Sequence, residues 1–220
     1  MRLSTVLYES VQGLWAQAAN KPFVVEMAKG VLDKRRYCYY MIQDYLYLLD
    51  YIDILERMRD RADDLALKEF IGFVVAQTNK ETMQVHVPNM RALGIRQDDV
   101  DRCPKSPAII EYIGYMRGQV KEEGTLAGLC AQLQCSWVYA FIGQRVTQKY
   151  SEQIATSPYR GWFEAYTCDD YVAANQRWID VLDAQARAAN VQDGEIKKLC
   201  EIFQTCAAYE NRLWDKLYES

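Results

Sequence analysis

The sequence GTLAGLCAQLQCSWVYAFIGQ, residues 124–144, contains no charged side chain. Three structures fit such a stretch: a membrane span, a buried helix, or a helix that lines a reactive site. A membrane span needs about 20 mostly apolar residues. Here glutamine, serine and threonine side chains are spread along the stretch, and no other segment looks like a second span. We therefore predict the central helix of a helical domain, apolar on most of its sides.

The composition is typical of a globular protein. Half of the 220 residues are hydrophobic and 25% are charged, and this length allows a substantial core. The formal net charge is -4 and no basic stripe is visible, which argues against nucleic-acid binding. Residues 1–21 contain three charged side chains and lack the continuous apolar core of a signal peptide. We expect a cytoplasmic protein that binds neither nucleic acid nor a membrane.

The chain has seven cysteines, and no pair of them has Cys-x-x-Cys spacing. A chain of this length does not need disulfides to stabilise its core. We therefore expect reduced thiols, most of them buried as small core side chains.

Long segments with helical periodicity and no period-two alternation predict an all-α protein. Helices are expected at 3–18, 22–30, 34–60, 63–92, 107–122, 125–154, 159–190 and 194–218. Asp33 and Asp193 are candidate N-caps, and Pro107 and Pro158 are expected in the first turn of a helix. No internal repeat or linker is visible, so we predict one domain over residues 1–220.

Polar side chains within the predicted helices identify candidate site positions. Asp44 and Tyr47 share one helix face, and Cys135 lies one turn before Tyr139. Glu210 lies one turn before Trp214 on the last helix. Each residue also has a structural interpretation, because a carboxylate can pair with a neighbouring cation and a tyrosine is commonly a core residue with a bonded hydroxyl. These residues indicate a candidate aromatic pocket with one thiol and two carboxylates.

Four segments match a known family in its order along the chain. They are PFVVEMAKGVLDKRRYCYYMIQDYLYL (22–48), CSWVYAFIG (135–143), SPYRGWFEAY (157–166) and ENRLWDKLY (210–218). On these motifs the sequence resembles the TenA family, also called thiaminase II or aminopyrimidine aminohydrolase. The resemblance implies a haem-oxygenase-like helical fold and a homotetramer. It also implies hydrolysis of aminomethyl-aminopyrimidine, or of thiamin, to hydroxymethylpyrimidine for thiamin salvage, without a cofactor.

The resemblance also implies roles for individual residues. Cys135 matches the nucleophile that adds to the pyrimidine ring. Asp44 matches the carboxylate that binds the ring nitrogen and the exocyclic amino group, and Glu210 matches the carboxyl group that transfers protons near the leaving group. Four tyrosines match substrate-binding positions: Tyr47 and Tyr166 as walls of the pyrimidine slot, and Tyr112 and Tyr139 as hydroxyls near the ring and the thiol.

Four positions depart from the common family pattern. Gln134 stands where many relatives have proline, and Phe141 replaces a glutamate. Lys21 stands in place of histidine, and Leu213 in place of phenylalanine. The two changes beside Cys135 could alter the choice among amino-substituted pyrimidines.

Two other classes of protein share the expected fold. A haem oxygenase needs an axial histidine near the start of the chain, and a helical di-iron oxidase needs several histidines with carboxylates. This chain has one histidine, His86, which we interpret as structural, and we expect no metal site. A non-catalytic pyrimidine-binding or regulatory protein remains the alternative function.

Overall fold

A computed structural model of the chain describes residues 2–220. Within that range the chain forms helices and no strand, which confirms the predicted all-α class. The helices are α1 (Leu3–Ala18), α2 (Pro22–Ala28), α3 (Lys34–Arg61), α4 (Leu65–Glu81), α5 (Val87–Ala92), α6 (Gln97–Arg102), α7 (Pro107–Gly118), α8 (Thr125–Thr156), α9 (Arg160–Thr167), α10 (Asp169–Ala188) and α11 (Asp193–Glu219). Two π-helical turns, Thr82–His86 and Gln119–Glu123, follow α4 and α7.

The uncharged stretch of the sequence lies in α8. This helix is long and apolar enough to cross a membrane by length and composition alone. However, 72% of its most apolar window is buried inside the protein. Such burial agrees with the prediction of a central core helix.

The chain divides into two compact units. The terminal unit consists of residues 2–32 and 129–219, and the middle unit of residues 33–128. The prediction of one domain over residues 1–220 stays a prediction, and its first residue lies outside the described range.

The terminal unit has an aromatic core. In this unit α1 packs against α10 and α11, and α2 packs against α11. Trp15 of α1 is buried, and its ring centroid lies 5.4 Å from that of Trp137 on α8 and 6.0 Å from that of Phe203 on α11. Burying a side chain the size of Phe203 stabilises a fold by about 2–3 kcal/mol. The three aromatic side chains therefore hold α1, α8 and α11 together.

Gly143 allows α8 and α9 to approach each other closely. A Cβ atom at this position would lie 3.1 Å from Cγ2 of Thr167 and 3.3 Å from Cβ of Tyr166. Because contacts this short require the neighbour to move, a larger residue at Gly143 would displace the turn that contains Tyr166.

The middle unit is built around α3, which packs against α4, α5, α7 and the first π turn. The buried side chain of Gln43 links α3 to the start of α7. Its Oε1 accepts from the backbone N–H of Ser106 at 2.8 Å, and its Nε2 donates to the carbonyl of Pro104 at 2.9 Å. These bonds satisfy backbone groups at a helix N-terminus and fix α7 beside α3.

The π turn at Thr82–His86 interrupts a segment that we predicted as one helix over 63–92. Pro88 lies two residues after the end of this turn, in the first turn of α5. A proline inside an α-helix lacks an N–H donor and its ring clashes with the carbonyl four residues earlier. A wider turn before Pro88 relieves that clash, and it places His86 differently from a continuous α-helix.

Other predicted boundaries are confirmed or corrected. Asp33 caps α3 by accepting from the N–H of Arg35 at 2.7 Å, and Pro107 is the first residue of α7. Asp193 is the first residue of α11 rather than the residue before it, and Pro158 lies in the turn before α9. The predicted helix 159–190 is two helices. Its break at Cys168 has extended backbone, and the two aspartates that follow favour a new helix N-terminus.

Candidate active site

In the terminal unit, Cys135 and Tyr139 lie one turn apart on α8. Cys135 is half-buried and Tyr139 is buried. The ring of Tyr139 meets that of Tyr166 edge to face, with centroids 4.9 Å apart, and lies 5.6 Å from that of Trp214 on α11. The predicted pocket residues Cys135, Tyr139 and Tyr166 therefore lie in one aromatic neighbourhood.

Trp162 completes this neighbourhood from α9. Its ring centroid is 4.7 Å from that of Tyr166 and 5.7 Å from that of Tyr139. Trp162 and Tyr166 are four residues apart, so both rings project from the same face of α9. Aromatic contacts of this geometry contribute about 0.5–1.5 kcal/mol each beyond area burial, which favours one fixed arrangement of the rings.

The turn that contains Cys135 is held by α10. The hydroxyl of Ser136 donates to Oδ1 of Asn175 at 2.9 Å, and the hydroxyl of Tyr171 donates to the backbone carbonyl of Ser136 at 3.0 Å. Tyr171 also stacks edge to face on Tyr166, with centroids 5.0 Å apart. The backbone at Cys135 is therefore fixed by polar contacts on the next residue, which sequence reasoning missed.

Glu210 lies on α11 and only 1% of its surface is exposed. It is one turn from Trp214 in one direction and from Cys206 in the other. Burial raises the pKa of the Cys206 thiol well above its usual value, and the nearby Cys130 and Glu210 raise it further. The carboxyl group of Glu210 is thus placed in a poorly solvated environment beside the aromatic residues.

Four of the other thiols are poor candidates for a nucleophile. Burial is the main cause that raises the pKa of Cys38, Cys130, Cys200 and Cys206. Because the thiolate is the nucleophile, a raised pKa makes these cysteines less reactive.

In the middle unit, the predicted residues Asp44, Tyr47 and Tyr112 come together. Tyr47 of α3 and Tyr112 of α7 are buried, and their ring centroids are 5.8 Å apart. The hydroxyl of Tyr47 points to the sulfur of Met116 at 4.0 Å. Asp44 lies one turn before Tyr47, and 10% of its side chain is exposed.

Asp44 contacts two polar side chains through one oxygen. Its Oδ2 accepts from the hydroxyl of Tyr40 at 3.4 Å and lies 3.0 Å from Nε2 of His86. Its Oδ1 has no hydrogen-bond partner among residues 2–220. One oxygen of the carboxylate is therefore engaged by these two side chains, and the other is not.

His86 and Glu81 add charge to this neighbourhood. Burial lowers the pKa of His86, but the contact with Asp44 and the charges of Asp44 and Glu81 outweigh it, so that the pKa is raised overall. Burial raises the pKa of Glu81 and the charge of Asp44 adds to this, while His86 opposes it. Two carboxyl groups and one imidazole thus interact in a largely buried place.

In the part of the chain that the structure describes, no group of three or more histidine, cysteine, aspartate or glutamate side chains could hold a metal ion. The expectation of a metal-free site stays a prediction.

Comparison with known proteins identifies the family. The sequence profile of the TENA/THI-4/PQQC family matches residues 8–220. The chain belongs to this family. Among curated relatives, an aminopyrimidine aminohydrolase from Helicobacter pylori is 31% identical over the full length of both chains. An aminopyrimidine aminohydrolase from Halalkalibacterium halodurans is 28% identical over 99% of this chain and 96% of that protein. The resemblance inferred from the motifs is thereby confirmed.

Solved structures with little sequence identity share the fold. A TenA family transcription regulator from a Silicibacter species has a TM-score of 0.90 at 22% identity and covers 100% of this chain and 97% of that one. A domain of unknown function with a heme oxygenase-like fold from Shewanella denitrificans has a TM-score of 0.76 at 15% identity and covers 100% and 93%. The predicted haem-oxygenase-like fold is confirmed.

The four residues that depart from the family pattern all lie in the terminal unit. Lys21 forms an ion pair with Asp215 at 2.7 Å and so links the start of α2 to α11. Phe141 packs against Trp15 with ring centroids 5.3 Å apart, and Gln134 is fully buried. Leu213 is also buried. These residues belong to the packing of the terminal unit.

Sequence reasoning missed the place of His86. We interpreted it as a structural residue because it is the chain's single histidine and has no second imidazole to share a metal. The structure places it against Asp44. In the sequence, the one indication of a charged neighbour for His86 is Glu81, five residues earlier. That spacing brings two side chains together in a π turn, and the π turn was not predicted.

Proposed function

We propose that the protein is an aminopyrimidine aminohydrolase of the thiaminase II type. It hydrolyses aminomethyl-aminopyrimidine, and thiamin as a second substrate, to hydroxymethylpyrimidine. The full-length identity of 31% to a relative named aminopyrimidine aminohydrolase is the observation that most supports this activity. The clusters around Cys135 and around Asp44 agree with the residues that such chemistry needs.

We infer that Cys135 is the nucleophile. Its thiolate adds to a carbon of the pyrimidine ring, which breaks the aromaticity and allows the group on the exocyclic methylene to leave. Water then adds to the methylene, and the thiolate is expelled as the ring regains aromaticity. A thiol suits both steps because it is strongly nucleophilic and is also a good leaving group. The half-burial of Cys135 beside Tyr139 supports this role.

We infer that Asp44 recognises the aminopyrimidine edge. A carboxylate can accept from the exocyclic amino group and from a protonated ring nitrogen, and such charge-assisted pairs are strong. Oδ1 of Asp44, without a partner among the described residues, is the atom best suited to the ring. Tyr47 and Tyr112, buried next to each other, would supply an aromatic wall and a hydroxyl.

We assign proton transfer near the leaving group to Glu210, and pyrimidine contacts to Tyr139 and Tyr166. A buried carboxyl group exchanges protons closer to neutral pH than a solvated one, because desolvation disfavours its charged form. The burial of Glu210 next to aromatic side chains supports this assignment.

We also propose a cytoplasmic homotetramer that acts without a cofactor and binds neither nucleic acid nor a membrane. The most apolar window of α8 is mostly buried, which supports a helix used for packing rather than for insertion. Light scattering on the purified protein measures the mass of the assembly. A mass of one chain at micromolar concentration would contradict the tetramer.

A turnover experiment distinguishes the enzyme from a non-catalytic binding or regulatory protein. Purified protein is incubated with aminomethyl-aminopyrimidine and, in parallel, with thiamin, and the release of ammonia and hydroxymethylpyrimidine is followed. The enzyme releases both from the first substrate with repeated turnover. A protein that binds hydroxymethylpyrimidine and never releases ammonia would support the regulatory alternative.

A further inference from the structure

We propose that His86 is a positioning residue for Asp44: it holds Oδ2 of the carboxylate so that Oδ1 is presented to the aminopyrimidine ring. The inference rests on the role proposed above for Asp44. It assigns a function to a histidine that the sequence indicated only as structural.

The contact between the two side chains is enclosed. Nε2 of His86 lies 3.0 Å from Oδ2 of Asp44, with 9% and 10% of the respective side chains exposed. Tyr40 donates to the same oxygen from one turn earlier on α3. The close approach of His86 and the hydrogen bond from Tyr40 both restrict the rotation of the carboxyl group, which leaves Oδ1 in one orientation.

The π turn makes this contact local to the middle unit. His86 is its last residue and Pro88 prevents a regular α-helical turn there. The turn packs against α3, where Asp44 lies. Single π turns occur frequently at functional sites, where they redirect one side chain out of the regular helix pattern.

Charge balance gives His86 a second effect on Asp44. Glu81, at the end of α4, is close enough to act on both residues, and the charged groups that act on His86 are Asp44 from α3 and Glu81 from α4. Two neighbouring carboxylates disfavour each other's ionisation. A protonated imidazole next to both carboxyl groups offsets this repulsion.

A first experiment measures the contact without any ligand. His86 is the single histidine of the chain, so the imidazole Cε1–H resonance in an NMR titration of untagged protein reports this residue alone. We expect its pKa to lie above that of a free histidine and to fall in Asp44→Asn. An unchanged pKa in that variant would show that the two side chains do not interact, and would overturn the proposal.

A second experiment measures binding of hydroxymethylpyrimidine by calorimetry between pH 6 and 9. His86→Phe removes the imidazole and its ion-pair contact with Asp44, and it should weaken binding about tenfold or more, as expected when a buried charged group loses its partner. His86→Gln keeps a donor without the charge. Its Kd should exceed that of wild type most at pH 6, and the ratio should approach one as pH rises through the His86 pKa measured by NMR.

The steady-state constants distinguish a positioning role of His86 from a merely structural one. Because Asp44 binds the substrate, the KM of both His86 variants should rise more than their kcat falls. Thr82→Val is the matched control. It removes another buried polar group from the same π turn, whose hydroxyl donates to the carbonyl of Thr78 at 2.7 Å, and it should keep the wild-type Kd and pH profile.

The outcomes separate the two proposals. Wild type that neither binds hydroxymethylpyrimidine nor turns over aminomethyl-aminopyrimidine would overturn the proposed function, and this inference with it. Wild-type binding together with an unaltered Kd in folded His86→Phe would overturn the role of His86 alone. An equal increase of the Kd in Thr82→Val would show that binding depends on the fold of the π turn and not on the imidazole of His86, and would also overturn the role of His86.

Discussion

Cys135 lies half-buried on α8, and the residue after it is bonded to α10 by a serine hydroxyl and a backbone carbonyl. The thiol therefore has a fixed backbone and stays partly accessible. Cys130 and Cys206 are fully buried, and burial raises the pKa of both thiols. Among these thiols, Cys135 is the one whose placement suits attack on a planar ring enclosed by aromatic side chains.

Replacing Cys135 tests covalent catalysis. Cys135→Ala should lower kcat for aminomethyl-aminopyrimidine by at least about 100-fold, because no other group supplies the electron pair that adds to the ring. Circular dichroism and binding of hydroxymethylpyrimidine should remain close to wild type. Cys168→Ala, at an exposed position, is the matched control and should keep full activity. A near-normal rate in Cys135→Ala would exclude the covalent route.

Replacing Glu210 tests its place in the reaction. Ammonia needs a proton in order to leave, whereas the thiazole of thiamin leaves as a neutral molecule. Glu210→Gln should therefore slow the deamination more than the cleavage of thiamin, and the ratio of the two kcat/KM values is the measurement. An equal loss for both substrates would assign Glu210 to thiol activation or ring protonation. No loss for either would make it a structural carboxylate.

At the residue scale, the sequence was informative where partners lie on one helix. Helical spacing predicted that Cys135 adjoins Tyr139, and the structure places both residues in the helical part of α8, one turn apart. The pair of Tyr47 and Tyr112 came from the family resemblance. The contact of His86 with Asp44 joins α3 to a π turn, so it depends on tertiary packing that local pattern does not encode.

The first helix depends on one buried carboxylate of α10. Asp183 is 2% exposed, and it accepts from the N–H of Ser4 at 2.8 Å, from the Ser4 hydroxyl at 2.7 Å and from Nε of Arg2 at 2.7 Å. A negative charge at this place also favours the positive end of the dipole of α1. Burial raises the pKa of Asp183, but the bonds from Ser4 and Arg2 outweigh it and the pKa is lowered overall.

Removing that carboxylate should loosen the attachment of α1. Asp183→Ala leaves donors of Ser4 without a partner, and we expect a loss of about 2–4 kcal/mol in the free energy of unfolding, measured in urea. Asp180→Ala removes the exposed ion pair of Arg2 and should cost less than about 1 kcal/mol. Because the pKa of Asp183 is lowered by folding, its contribution should be present above about pH 4 and disappear as pH falls through the folded pKa. Equal losses in the two variants would contradict this account.

At the element scale, long amphipathic helices could be predicted and their interruptions could not. The limits of α1, α3 and α11 lie within one or two residues of the prediction. The break between α9 and α10 and the short α6 were missed, because each is stabilised by polar contacts at a helix end rather than by a change in periodicity. Arg96 illustrates this: its backbone N–H donates to Oδ2 of Asp99 at 2.8 Å at the start of α6.

For the whole molecule, hydrophobic periodicity was sufficient to predict the all-α class, and the ordered motifs were sufficient to predict the family. The division into a terminal and a middle unit was not foreseen. Residues 2–32 and 129–219 are far apart in the chain, and they meet because aromatic side chains from both segments share one core. A pattern within a short window contains no information about such a pairing.

The charged cluster of the middle unit should make the stability of the whole protein depend on pH. His86 and Glu81 both have folded pKa values raised above their usual ranges. A group with a raised folded pKa binds its proton more tightly in the folded state, so its stabilising effect is complete below the unfolded pKa and is lost as pH rises through the folded one. For histidine this loss begins near pH 6.5 and can reach at most about 1.4 kcal/mol per pH unit.

Urea unfolding of wild type and Asp44→Asn at intervals between pH 6 and 9 measures this dependence. In wild type the free energy of unfolding should fall as pH rises above about 6.5. Asp44→Asn removes the charge that raises the pKa of both His86 and Glu81, so its free energy of unfolding should fall less over the same range. Because the variant also loses a buried contact, only the difference in slope is diagnostic, and the difference at a single pH is not. Parallel curves would mean that Asp44 does not stabilise the protonated imidazole.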